Sequence, residues 1–97
     1  MEICVEFTGI ARTLTKNQQV ALSVQNEMTC AEIVKLLAQK YTGLLGIIIN
    51  SKGTELLNSN VFILNSTAMI LPDQMDQGLH EGDHLTLLSV IVGGKGI

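Results

Sequence analysis

Apolar and polar residues alternate at the start of the chain. Ile3, Val5 and Phe7 interleave with Glu2, Cys4 and Glu6, a period of two that predicts a strand with one buried face. A connection follows from Thr8, Gly9 and Ile10 through "ARTLTKNQQ". A second alternating run then sets Val20, Leu22 and Val24 against Ala21, Ser23 and Gln25, so the two runs suit a hairpin with a long loop. At "TCAEIVKLLAQKY" the period changes. Thr29 stands three residues before Glu32, the spacing at which each side chain satisfies a free backbone N–H at a helix start. Ile33, Leu37 and Tyr41 recur at i, i+4, i+8, with Val34 and Leu36 widening the stripe. Lys40 suits the negative end of the helix dipole and Gly43 a stop, giving one main helix over about 29–41.

Beyond the helix the pattern predicts short strands. The β-branched run Ile47 to Ile49 precedes a turn at Ser51–Gly53, Val61 to Leu64 precedes a turn at Asn65–Thr67, and Ala68 to Leu71 runs up to the single proline, Pro72. After the turn Glu81-Gly82-Asp83 comes the longest run, Leu85 to Val92. It is apolar on nearly both faces, as central strands are. Strand, strand, helix, strands is an α+β order in which the helix covers one face of a mixed sheet of about four to five strands. Placing the last strand beside the first puts a parallel pair at the centre, which is the β-grasp arrangement of ubiquitin.

Composition narrows the picture. Ninety-seven residues make one domain, divided by the pattern into a folded part, 1–92, and a flexible tail, 93–97. With 46% hydrophobic but only 3% aromatic residues, the core has to be built of Leu, Ile and Val. The net charge of -3 and the lack of a basic run argue against nucleic acid, whose phosphates need clustered Lys and Arg. No apolar stretch is long enough for a membrane span, and the opening "MEICVEFTG" has neither the basic nor the long apolar region of an export signal, so the expected compartment is the cytoplasm. Cys4 and Cys30 then read as reduced, structural cysteines. A helix start can lower a thiol's pKa, but no base stands near Cys30 in the sequence. His80 and His84 flank a turn without a third ligand, so no metal site is expected. Glu81 and Asp83 read as turn residues rather than catalytic acids. Met69, Met75 and the outer face of the last strand are candidates for a docking patch. No set of residues for catalysis emerges, and the chain is not expected to be an enzyme.

The closing stretch "LHEGDHLTLLSVIVGG" resembles the signature of the MoaD/ThiS family of ubiquitin-like sulfur carriers. The matching positions are Leu79, Gly82, Asp83, Leu85, Leu87 and Gly93–Gly94. "VFILNSTAMIL" is similar to the family's strand–turn–strand, with Asn65 at the turn. The resemblance implies that the reactive group is the α-carboxylate of Gly94. A partner of the ubiquitin-activating type uses ATP to adenylate it, and a sulfurtransferase or persulfide donor converts the adenylate to a thiocarboxylate. The sulfur then passes to a biosynthetic enzyme, such as the large subunit of molybdopterin synthase or its counterpart in thiamine or amino-acid synthesis. The carrier itself needs no cofactor. Gly93 and Gly94, lacking Cβ atoms, suit a narrow tunnel in such a partner.

This chain departs from the family in three places. Ser89-Val90-Ile91-Val92 stands where family members carry a proline-bearing run, and "GLLGIIINSKGTELLNSN" is surplus to the minimal carriers. Lys95, Gly96 and Ile97 follow the glycines and keep the Gly94 carbonyl in an amide. Some relatives lose such a tail to a zinc peptidase of the JAB/MPN type, which implies cleavage after Gly94. The same tail chemistry would also serve a protein modifier joined to lysines. A third reading is a plain β-grasp interaction module.

Overall fold

The computed structural model describes residues 1–57 and 59–89. Five strands form one mixed sheet: β1 (Glu2–Phe7), β2 (Gln19–Ser23), β3 (Asn60–Leu64), β4 (Ala68–Ile70) and β5 (His84–Ser89), in the order β2-β1-β5-β3-β4. β1 and β5 are parallel at the centre, with Val5 opposite Leu85 and Phe7 opposite Leu87. Every other pairing is antiparallel. This is the expected β-grasp, with the last strand central and the main helix on one face.

That helix, α2 (Cys30–Lys40), starts as the spacing predicts. Thr29 Oγ1 accepts from Glu32 N at 3.3 Å, and Glu32 Oε1 accepts from Thr29 N at 2.9 Å and from its hydroxyl at 3.1 Å. The bond from the Thr29 backbone, then that from its side chain, holds the Glu32 carboxyl below its ordinary pKa. Ile33, Val34 and Leu37 are fully buried against Ile3, Val5, Phe7, Phe62, Leu85 and Leu87, all on the helix-covered face of the sheet. Tyr41 ends the helix edge-on to Phe7, ring centroids 5.3 Å apart.

Two expectations need correction. The connection after β1 contains a short helix, α1 (Gly9–Thr15), closed by Lys16 in the left-handed region with its N–H on Arg12 O. Its inward face is only Ala11 and Thr15 with Leu14 partly covered, and the Thr15 hydroxyl is satisfied by Ala11 O at 2.9 Å. Two turns with one small apolar and one polar inward residue leave too faint a period to read from sequence.

Nor is Ile47 to Ile49 a strand of the sheet. The N–H groups of all three converge on Leu44 O (3.2, 2.9 and 3.0 Å), a tight coil entered through Gly46 at φ +82°. Ile48 and Ile49 are buried and Ile47 is exposed. The β pairing here is limited to isolated bridges, Leu45 to Ile49 and Ile49 to Leu56. The stretch surplus to the minimal carriers thus adds Leu44, Ile48 and Ile49 to the core beside α2, and its β-branched residues serve packing instead of a ladder.

Candidate functional site

The candidate site is the outgoing end of β5, and its geometry begins at the strand's other end. Gly82 adopts φ +83°, a conformation costly for residues with a Cβ, and sends its N–H to Glu2 O at 2.8 Å. Asp83 then locks the turn. Its Oδ2 accepts from His80 N at 2.8 Å and its Oδ1 from Asn65 Nδ2 at 3.0 Å. Asn65 Oδ1 in turn accepts from His84 N at 2.8 Å. Asn65 and Ser66 sit at φ +51° and +62°, the two left-handed positions of a tight hairpin turn between β3 and β4. The Gly-Asp pair and the turn asparagine, separate in the sequence, form one cluster that fixes where β5 begins.

The other candidates in this region have structural partners. Glu81 Oε1 accepts from Glu2 N at 3.0 Å. His80 lies 3.8 Å from Asp83, whereas His84 Nε2 is 3.0 Å from Glu6 Oε1 across the β1–β5 pair, so the two histidines address different carboxylates. Among the described residues no group of three or more His, Cys, Asp and Glu could hold a metal ion.

Cys30 is fully buried at the first turn of α2, and its pKa is pushed up from 9.0 to about 11, by burial first and by the charge of Asp83 second. A helix start would lower it, but desolvation wins, and the thiol is a core atom. The unfolded chain ionises this thiol near 9 and the folded chain near 11. The stability that the neutral thiol confers is therefore complete below pH 9 and is lost as the pH rises to 11. Urea unfolding of the wild type should lose about 2–3 kcal/mol more over that interval than Cys30→Ala does. Parallel pH curves for the two chains would refute this account.

On the open face of the sheet, the outer residues of β5, β3 and β4 lie side by side. Registers place Leu88 beside Val61, Thr86 beside Ile63, and Ile63 beside Met69. Met69 is 48% exposed and Leu71, just beyond β4, 44%. Met75 is not part of this face: it packs against the core while its carbonyl accepts from Ala31 N at 2.9 Å. The docking patch expected from the sequence thus loses Met75 and gains Val61 and Ile63, which only strand pairing could add.

At the outgoing end, the described part of β5 finishes at Ser89. Val90 to Val92, the last residues of the expected strand, lie outside the described residues, as do Gly93 and Gly94 and the predicted cleavage point before Lys95, Gly96 and Ile97. A central strand held by β1 on one side and β3 on the other therefore leads directly into the segment that bears the candidate reactive carboxylate.

A parallel β1–β5 pair at the centre of the sheet, with the last described strand central and one main helix covering one face, defines a ubiquitin-like β-grasp protein. The sequence matches the ThiS family over residues 5–94, and the chain belongs to that family of small ubiquitin-like carriers. Curated proteins give no match. Among solved structures, SAMP1 from Haloferax volcanii superimposes with a TM-score of 0.80 at 16% identity, covering 97% of this chain and all of that one. The molybdopterin-converting factor of Helicobacter pylori, solved as a complex of its subunits 1 and 2, gives 0.59 at 22% identity, covering 97% of this chain and 100% of that one. Urm1 from Trypanosoma brucei gives 0.60 at 21%, covering 96% and 95%. Among the described residues no helix is long and apolar enough to cross a membrane.

Proposed function

We propose that this chain is a sulfur carrier that acts through the α-carboxylate of Gly94 once Lys95–Gly96–Ile97 has been removed. The observation that carries the reading is where the family match stops: it runs from residue 5 to Gly94 and leaves out the three residues that block the carboxylate. In this reading 1–92 is the folded body and 93–97 the working tail. The carboxylate oxygen attacks the α-phosphorus of ATP on an adenylating partner, and pyrophosphate leaves. A persulfide donor's sulfur then displaces AMP at the carbonyl carbon, and reduction of the resulting acyl disulfide by a thiol frees the thiocarboxylate. Every catalytic group belongs to the partners, and the carrier holds no cofactor.

The exposed Met69 and its neighbours Val61, Ile63 and Leu88 offer an apolar surface for such partners. That subunit 1 of the Helicobacter pylori factor is found complexed with subunit 2 supports a sulfur-accepting enzyme of that kind as one of them. A JAB/MPN-type zinc peptidase is the proposed processing partner, and the cytoplasm the proposed compartment. The likeness to SAMP1, a small archaeal modifier protein, over 97% of this chain supports a second reading, a modifier joined to lysines through Gly94.

Intact mass of the protein recovered from its own host decides between them. The carrier reading predicts a species ending at Gly94 with one oxygen replaced by sulfur. Gly-Gly remnants on lysines of other proteins, with no thiocarboxylate species, would favour the modifier. Recovery of full-length chain alone under sulfur demand would sink both.

A further inference from the structure

The two edges of the sheet are guarded differently. β4 is three residues long and runs through Leu71 into Pro72, which has no N–H to offer, so that edge ends too soon to template another strand. β2 is the other edge. It pairs with β1 without a bulge, from Glu2 with Ser23 to Glu6 with Gln19. Its five residues, Gln-Val-Ala-Leu-Ser, include no charge and no proline, the usual guards of an exposed edge. Hydrogen bonds at its ends show which way its backbone points. Val24 N donates to Met1 O at 2.8 Å and Met1 N to Val24 O at 2.6 Å, while Phe7 N donates to Gln18 O at 2.9 Å. Hydrogen-bonded pairs alternate along an antiparallel ladder, so Leu22 and Val20 also bond to β1. The N–H and C=O groups of Gln19, Ala21 and Ser23 therefore point away from the sheet, and among the described residues nothing meets them. Their side chains are exposed as well.

We propose that the β2 edge pairs antiparallel with the β2 edge of a second copy of this chain, about a two-fold axis at Ala21. The outward residues are symmetric about that position. Reversing the strand sets Ala21 opposite Ala21 and Gln19 opposite Ser23 on either side, so every outward N–H finds an outward C=O on the other copy. The ends agree in charge too. Lys16 precedes β2 and Glu27 follows it, and antiparallel pairing brings the Lys16 end of each copy to the Glu27 end of the other. Directly opposite residues share a face, so both α2 helices lie on one side of a single continuous sheet and both open faces on the other. The contact uses none of β5, β3 or β4, and it presents two copies of the Met69 surface on one assembly. It does not depend on the chemistry at Gly94. One strand pair makes a small interface, so the dimer should build up between about 10 μM and 1 mM chain.

The test uses the full chain. Sedimentation equilibrium across that concentration range should show the mass rising towards twice that of one chain. Over the same range, amide hydrogen exchange at Gln19, Ala21 and Ser23 should slow about fivefold or more, with Leu22, already bonded to β1, unchanged as the control for folding. Ala21→Glu sets two carboxylates opposite each other at the axis and Ala21→Lys two ammoniums, with Cα atoms roughly 5.5 Å apart. Each variant alone should stay monomeric throughout, and an equal mixture of the two should dimerise again. A wild-type chain that stays monomeric at every concentration, dimers that survive Ala21→Glu, or a mixture that stays monomeric would each overturn the proposal. So would a monomeric chain whose three edge amides slow only on adding an extended peptide of alternating apolar residues, which would assign the edge to a partner's strand. Should either variant fail to fold, the concentration dependence of the three amides in the wild-type chain decides alone.

Discussion

A chain carrying Lys95→Pro will form no acyl-adenylate, whereas the same chain ended at Gly94 will form it without any peptidase. The difference is all-or-none because it lies in the reacting atoms. A free carboxylate has an anionic oxygen to attack the α-phosphorus of ATP. The Gly94 carbonyl in a Gly94–Lys95 peptide is an amide, whose lone pair is delocalised and whose oxygen is neutral. Proline at position 95 removes the N–H and fixes φ, which makes the bond a poor substrate for a peptidase that reads an extended Gly-Gly-Xaa segment. The measurement is intact mass of each chain after incubation with host extract and ATP, and sulfur-dependent growth of a host carrying only that chain. Growth on the Lys95→Pro chain equal to wild type would show that the amide does not need to be cut and would remove the basis for Gly94 as the reactive end.

The elements of the fold that are set by local rules could be read in advance. The Thr29–Glu32 box, the alternation in β1 and the central place of β5 each appear where the sequence pattern alone puts them. What escaped is set by tertiary packing. Ile47 to Ile49 has the residues of a strand but coils around Leu44 O, because burial beside α2 satisfies β-branched side chains as well as a ladder does. α1 has too few inward residues to show a period. The same division runs through the site. Asn65 and Gly82-Asp83 could be singled out as a resemblance, but their junction through Asp83 Oδ1 depends on β3 and β5 being neighbours, and so could not be read from spacing.

Phe62→Ala should cost about 3–5 kcal/mol, and Met69→Ala no more than about 0.5, although the two residues lie one register position apart on paired strands. Phe62 is fully buried on the helix-covered face, opposite Leu87 on β5 and Ile70 on β4, and with Phe7 it is one of the two largest fully buried side chains. Its removal leaves a cavity among residues already fixed by α2, and a domain of this size has only about 5–15 kcal/mol of stability to lose. Thermal unfolding should move down by roughly 15–30 °C. Met69 faces the other way, beside Ile63 on the open side, with nearly half its surface in water. Its truncation should leave the melt in place and weaken capture by the adenylating partner instead. The two faces thus separate stability from recognition: the covered face holds β5 central, and the open face is left to whatever meets the tail. Equal losses of stability from both substitutions would mean that Met69 is part of the core, and the open face would lose its claim to be a docking surface.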